Sequence, residues 1–173
     1  YWISYTALRR KGGEIKMPAI SKIRFTNAVY DNGEKRYNDE IFEFDGHNGA
    51  IVLENGGGET TFIQIAIQAI LPHADLGTRK IRDTLLLEGN PCHIAIEWII
   101  NESPRRYALT AVTLFLNNGK LDSYKYVYEY GHNDGNSIEN IPFVKETING
   151  NKRPSSREEM GDYYHRMARE HMY

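Results

Sequence analysis

A glycine-rich segment near the first third of the chain has the residue types best suited to chemistry. In order, its residues are Asn55, Gly56, Gly57, Gly58, Glu59, Thr60 and Thr61. Glycines allow several backbone N–H groups to converge on one anion, and a helix that follows adds positive potential at its N-terminus. The segment therefore predicts a phosphate-binding loop.

The segment departs from the nucleotide-binding pattern G-x-x-x-x-G-K-[ST] at two positions. Leu53 stands at the first glycine, and Glu59 stands at the lysine that contacts the β- and γ-phosphates. Two unit charges about 4 Å apart interact by about 4 kcal/mol at an effective dielectric constant of about 20, and reversing one charge roughly doubles the change. We therefore expect Glu59 to weaken nucleotide binding severely.

A second interpretation is a glycine-rich turn before a core helix. In that case Glu59 would stabilise the first helical turn through the helix dipole. The surrounding sequence favours the phosphate loop, because a short apolar run at 50–53 precedes it and an apolar helix pattern at 60–71 follows it. A lysine codon becomes a glutamate codon by one base change, so a single mutation would account for Glu59 in a loop of this kind.

The elements that would position this loop can be predicted from periodicity. Residues 20–26 alternate apolar and polar, as a half-buried strand does, and 41–44 form a second strand. Tyr30-Asp31-Asn32-Gly33 has hairpin-turn chemistry, and a second turn is predicted at 45–49. The helix at 60–71 is apolar nearly all round, so we expect it inside the domain, ending at Pro72.

After the helix, apolar and polar residues alternate along the sequence, so the hydrophobic period changes to two. The sequence predicts three antiparallel strands at 93–100, 106–115 and 123–130, followed by a loop at 132–140. Ser156 and Glu159 have capping-box spacing, which predicts a helix that runs to about residue 171.

Residues 20–71 resemble the N-terminal head segment of SMC/RecF-like ATPases, which belong to the ABC class. The resemblance rests on an opening strand that ends in Phe25-Thr26-Asn27, a return through Phe42-Glu43-Phe44, and 50–61 as the Walker A loop. The three later strands look like the antiparallel β-subdomain of that class. The resemblance covers roughly 20–130 and implies an α/β P-loop NTPase, present as part of an ABC/SMC-type head.

The resemblance also implies roles for the loop residues and for two cofactors, ATP and Mg²⁺. Asn55, Gly56, Gly57 and Gly58 would form the backbone cradle for the phosphates. Thr60 would bind Mg²⁺ through the bound nucleotide, and Thr61 would contact a phosphate. Glu59 occupies the lysine position, but its carboxylate cannot neutralise the phosphates as the lysine does.

Such ATPases also need a Walker B strand and a signature motif, and neither is found within the 173 residues. We therefore expect about half of a head, which does not hydrolyse ATP, and we assign no catalytic residue. The full-length relative would form a head–head homodimer and act on DNA in bacterial chromosome maintenance, repair, or plasmid and phage defence. The alternatives are a degenerate, non-catalytic interaction module and, less favoured, an ABC transporter ATPase.

The composition narrows the class of protein further. A formal net charge of −2 gives no general reason to expect nucleic-acid binding, and no apolar run approaches a membrane span, so we expect no membrane partner. The single cysteine, Cys92, excludes an internal disulfide and fits a reducing, cytoplasmic location. We expect it to be a buried, inert thiol.

Three segments are predicted. Residues 1–16 are expected to be a translated leader before a start at Met17, because Lys11-Gly12-Gly13-Glu14 can be encoded by a ribosome-binding sequence; a basic N-terminal arm is the alternative. Residues 17–150 form the N-terminal part of the head. Residues 151–173 form a helical tail that leads towards the rest of it.

Other residues have two interpretations each. A row of tyrosines could stack on single-stranded bases or pack inside the protein, and two basic groups could contact DNA phosphates or form solvated surface. For both sets we favour the second interpretation. The residues are Tyr124, Tyr126, Tyr128 and Tyr130 in the row, and Arg79, Lys80, Arg82, Arg105 and Arg106 in the basic groups.

Overall fold

The computed structural model of the chain describes residues 18–44 and 58–170. Several predictions concern residues outside these ranges: the leader at 1–16, the start at Met17, the turn at 45–49 and the strand at 50–53. Asn55, Gly56 and Gly57 also lie outside the described residues.

The centre of the fold is one antiparallel sheet of five strands in the order β2-β1-β3-β4-β5. Its strands are β1 (Ala19–Tyr30), β2 (Lys35–Glu43), β3 (Cys92–Glu102), β4 (Arg105–Asn117) and β5 (Lys120–Gly131). The opening hairpin and the three later strands were predicted as separate units. They join into one sheet through β1 and β3, where Phe25 lies opposite Ile94.

The turn predicted between the first two strands is confirmed. Asp31–Gly33 form a short 3₁₀ turn, in which Asn32 has φ 55° and Gly33 has φ 93°. Asparagine and glycine tolerate this left-handed conformation better than other residues. The second strand begins at Lys35, earlier than the predicted residue 41, because exposed polar residues of an edge strand carry no apolar signal.

Three helices and a small hairpin complete the described part. They are α1 (Gly58–Ile67), α2 (Ile81–Thr84), β6 (Val144–Glu146), β7 (Lys152–Pro154) and α3 (Arg157–Glu170). α1 ends as a regular helix at Ile67, before the predicted residue 71. The backbone N–H groups of Gln68, Ala69 and Ile70 each bond to the carbonyl three residues earlier, so the chain tightens into turns before Pro72.

α1 covers one face of the sheet through an aromatic and aliphatic core. The ring of Phe62 lies 4.9 Å from that of Phe25 and 5.1 Å from that of Phe42, measured between centroids. Ile65 is fully buried in the same core. α1 is not buried all round, because Ile63 is 56% exposed on its outer side.

α3 covers the opposite face. Its four buried residues recur at helical spacing: Met160, Tyr163, Tyr164 and Met167. They pack with Tyr126, Tyr128 and Tyr130 of β5, while Tyr124 is 40% exposed. The packed-face interpretation of the tyrosine row is therefore confirmed for these three members, each of which is at most 8% exposed.

The capping box predicted for α3 is confirmed by two reciprocal hydrogen bonds. The Glu159 backbone N–H donates to Ser156 Oγ at 3.1 Å, and the Ser156 backbone N–H donates to Glu159 Oε1 at 2.9 Å. Two N–H groups at the helix start are thereby satisfied. The Arg153 guanidinium also bonds to Glu159, which lowers the pKa of that carboxyl to about 2.

We predict that Ser156→Ala lowers the free energy of unfolding by about 1 kcal/mol, because the cap hydroxyl is lost. Ser156→Thr keeps the oxygen and is the control, with an expected loss of only a few tenths of a kcal/mol. Urea unfolding followed by circular dichroism measures both. Equal losses in the two variants would contradict a capping role.

A buried polar network joins β3 and β4 to the segment that precedes α3. His93 is fully buried, with Nε2 2.8 Å from the Ser155 carbonyl and Nδ1 2.9 Å from Thr113 Oγ1. Because a carbonyl only accepts, Nε2 carries the proton and Nδ1 accepts from Thr113. Burial lowers the pKa of His93 to about 4, and the nearby Arg24 guanidinium acts in the same direction.

The unfolded chain therefore binds a proton at His93 between pH 6.5 and about 4, where the folded chain does not. We predict that stability falls as pH drops through this window, by about 3 kcal/mol from this residue. His93→Gln can form the same two hydrogen bonds without titrating. The difference between the two proteins in urea unfolding against pH isolates the histidine, and parallel profiles would contradict the prediction.

Candidate functional site

The described part of the predicted phosphate loop is the first turn of α1. The helix begins at Gly58 and continues through Glu59, Thr60 and Thr61. Backbone N–H groups in the first turn of a helix have no partner within the helix, and the helix dipole makes this end positive. The described part of α1 thus runs from Gly58, within the predicted loop, and a phosphate site at this end of the helix stays a prediction.

Two buried glutamines, Gln64 on α1 and Gln68 directly after its end, hold the connection that follows the helix. Gln64 Nε2 donates to the Arg79 carbonyl at 2.8 Å, and Thr84 Oγ1 donates to Gln64 Oε1 at 3.2 Å. One turn further on, Gln68 Nε2 donates to the Ala74 carbonyl at 2.8 Å, and the backbone N–H of His73 donates to Gln68 Oε1 at 2.8 Å. The segment 73–84 is therefore held alongside α1.

This arrangement places a cation beside the first turn of α1. Arg79 Nη1 donates to Thr61 Oγ1 at 3.4 Å, and Thr61 is only 7% exposed. From the sequence, Arg79 was a candidate for DNA phosphates among other basic residues. The structure brings it to Thr61, one of the predicted phosphate contacts, through a contact spanning 18 residues that no local pattern signals.

The remaining loop predictions are untested by the described contacts. Glu59 and Thr60 lie in the first turn of α1. Their predicted places at the lysine position and at Mg²⁺ stay predictions, as do the cradle residues Asn55, Gly56 and Gly57.

The other basic residues are not gathered at this helix by any contact in the described ranges. Arg82 lies in the four-residue helix α2, next to Lys80. Arg105 bonds to Glu102 at 2.7 Å in the turn between β3 and β4, and Arg106 follows it in β4. DNA contact by these residues stays a prediction.

Histidine and cysteine side chains form no catalytic or metal-binding group among the described residues. His73 Nε2 lies 2.9 Å from Ser123 Oγ, an exposed pair without a third partner in the described contacts. Cys92 is fully buried, which raises the pKa of its thiol, as expected of an inert cysteine. Within 18–44 and 58–170, no three His, Cys, Asp or Glu residues group as a metal site.

Two comparisons of the chain with known proteins were negative. No protein-family model matches the chain, and no curated protein matches it. Across the two described ranges, none of the helices is both long enough and apolar enough to cross a membrane. The fold itself is mixed α/β with an antiparallel five-stranded sheet.

We predict that Gln68→Met lowers the free energy of unfolding by about 1–3 kcal/mol, because it removes the partners of two partly buried backbone groups, the His73 N–H and the Ala74 carbonyl. Ile63→Met, on the exposed side of α1, should change stability by less than about 0.5 kcal/mol. Chemical unfolding compares the two. A Gln68→Met protein as stable as Ile63→Met would show that this network does not hold the connection.

Proposed function

We propose that the chain is part of the head of an SMC/RecF-like P-loop ATPase that acts on DNA, and that its nucleotide site lies at the start of α1. The observation that carries the proposal is the position of this helix. Its described part runs from Gly58, within the predicted loop, and Arg79 lies beside Thr61 in the same stretch of helix.

The sheet supports the same proposal. The resemblance implies an opening hairpin before the loop and three antiparallel strands after its helix. The chain has the hairpin β1–β2 and the meander β3–β4–β5 in those places, paired through β1 and β3. α1, which follows the loop, packs on this sheet through Phe62.

Within this site, each residue type has a distinct task. The backbone of 55–58 and the first turn of α1 would bind phosphate oxygens, and Thr61 would add a hydroxyl. Thr60 is proposed as the ligand that holds Mg²⁺ on the bound ATP. Arg79 would contribute a positive charge, since guanidinium groups bind phosphate through paired donors.

Glu59 limits what this chain does with a nucleotide. At the lysine position, its carboxylate repels the β- and γ-phosphates instead of neutralising them. Arg79 offsets this charge only in part, because it lies at Thr61 in an exposed setting where solvent screens it. The chain with Glu59 is therefore proposed to bind ATP weakly and not to hydrolyse it.

Glu59 also favours a second candidate, a head-like module that keeps the fold for protein interaction. This module would use the same sheet and helix packing without needing a nucleotide. The two candidates differ in what they predict when a positive charge is placed at position 59. An ATPase head should then bind ATP more tightly, whereas an interaction module should not.

We predict that Glu59→Lys raises the affinity for ATP–Mg²⁺ at least about tenfold, because a repulsive contact becomes attractive. Titration calorimetry on the 173-residue chain measures it. Glu88→Lys, at an exposed position, adds the same charge elsewhere and is the control. An unchanged affinity in Glu59→Lys, or an equal rise in Glu88→Lys, would contradict the nucleotide site and favour the interaction module.

A further inference from the structure

The outer edge of β5 is a long unpaired strand edge among the described residues. β5 pairs with β4 along its whole length, from Lys120 opposite Asn117 to Gly131 opposite Arg106. No strand in 18–44 or 58–170 pairs with its other side, since β5 ends the sheet order. Such an edge offers backbone donors and acceptors to another strand.

The side chains of β5 divide between the two faces of the sheet. Lys125, Val127 and Glu129 are exposed on the face that carries α1, and Val127 is an apolar side chain with 60% exposure. Tyr126 and Tyr128 point to the other face, under α3. A single apolar residue is thus flanked on one face by a cation and an anion, each two residues away.

A cleft opens along the same edge, between β5 and α3. It has a volume of about 500 Å³, and its walls include Tyr126, Tyr128, Tyr164 and Met167. The hydroxyl of Tyr126 is buried and has no hydrogen-bond partner in the described part of the chain. An apolar cleft with an unsatisfied hydroxyl beside an open strand edge is typical of a surface that another chain covers.

We propose that β5 pairs with β5 of a second copy of this chain, antiparallel, about a two-fold axis at Val127. In this register, Lys125 of each copy lies opposite Glu129 of the partner subunit, and Val127 lies opposite its own equivalent. Cross-strand pairs of opposite charge and of apolar side chains stabilise antiparallel strands. The interface would join two five-stranded sheets into one.

The charges select this register over its neighbours. Side chains alternate between the two faces along each strand. The α1 faces of the two copies therefore lie on the same side of the joined sheet only when the two-fold axis passes through a residue. An axis at Tyr126 would place Lys125 against Val127, and an axis at Tyr128 would place Val127 against Glu129. Either of these registers places a charged side chain opposite an apolar one and loses both ion pairs.

The other face of the sheet is compatible with the same register. Tyr126 lies opposite Tyr128 of the partner subunit, so the aromatic layers under the two α3 helices become continuous. Cross-strand aromatic pairs are favourable at this spacing. The interface does not involve α1, so it is independent of the nucleotide site proposed at the start of that helix and of a head–head dimer.

The experiment is sedimentation equilibrium of the wild-type chain and of charge variants across a wide concentration range. Lys125→Glu and Glu129→Lys each break both ion pairs, and we expect each to raise the dimer dissociation constant at least about tenfold. The double variant restores both pairs in reverse and should return the constant to within about threefold of wild type. The Lys125 amine also bonds to the Ile70 carbonyl at 2.9 Å, so thermal unfolding of every variant checks the fold.

A crosslinking test reports the register directly. Val127→Cys places two thiols opposite each other at the two-fold axis, at a Cα separation that a disulfide accepts. Lys125→Cys is the control, because in this register it faces Glu129 of the partner subunit. The natural Cys92 is fully buried and leaves the assay unaffected. We expect oxidised dimer for Val127→Cys only.

Three results would overturn the proposal. The first is a wild-type chain that stays monomeric at all concentrations, which would leave the edge to another segment or another protein. The second is a dimer whose dissociation constant does not respond to the single charge reversals or is not rescued by the double variant. The third is equal crosslinking at 125 and 127.

Discussion

The contact of Phe62 with the aromatic residues of the opening hairpin is the interaction on which the candidate site depends. Phe62 packs against Phe25 and Phe42, one on each strand of that hairpin. This packing fixes α1 on the sheet and thereby fixes where its N-terminus points. A phosphate site at a helix start needs such an anchor, because its donors belong to the backbone and move with the helix.

The two faces of the sheet then serve different purposes. On the α1 face, the buried glutamines align segment 73–84 with the helix and bring Arg79 to Thr61. On the α3 face, tyrosines and the buried His93 network join β5 and β3 to the C-terminal helix. The proposed phosphate site thus lies on one face of the sheet, while the other face packs against α3.

Local sequence signals predicted most of the described fold. Period-two alternation found the three later strands, Asn32 and Gly33 marked the turn, and Ser156 with Glu159 marked the start of α3. Each of these signals acts within a few residues, so a single sequence reveals it. The mixed α/β class and the antiparallel strands are accordingly confirmed, whereas the P-loop assignment stays a proposal.

The features that sequence could not predict depend on distant partners. The strand β2 extends over polar residues only because β1 supplies its hydrogen bonds. Gln64 and Gln68 are polar residues within the apolar pattern at 60–71, and their role appears only when the chain returns at 73–84. The meeting of Arg79 and Thr61 has the same origin. For the candidate site, the sequence therefore predicted the helix but not the cation beside it, and the glycine loop stays a prediction.

The central claim is that the glycine loop and the start of α1 bind the phosphates of a nucleotide. Titration of ¹⁵N-labelled Glu59→Lys protein with ADP–Mg²⁺, followed by backbone amide chemical shifts, tests it most directly. The largest changes are predicted at 55–61, with a further change at the Arg79 side chain. Changes centred elsewhere on the sheet, or none at saturating nucleotide, would contradict the claim.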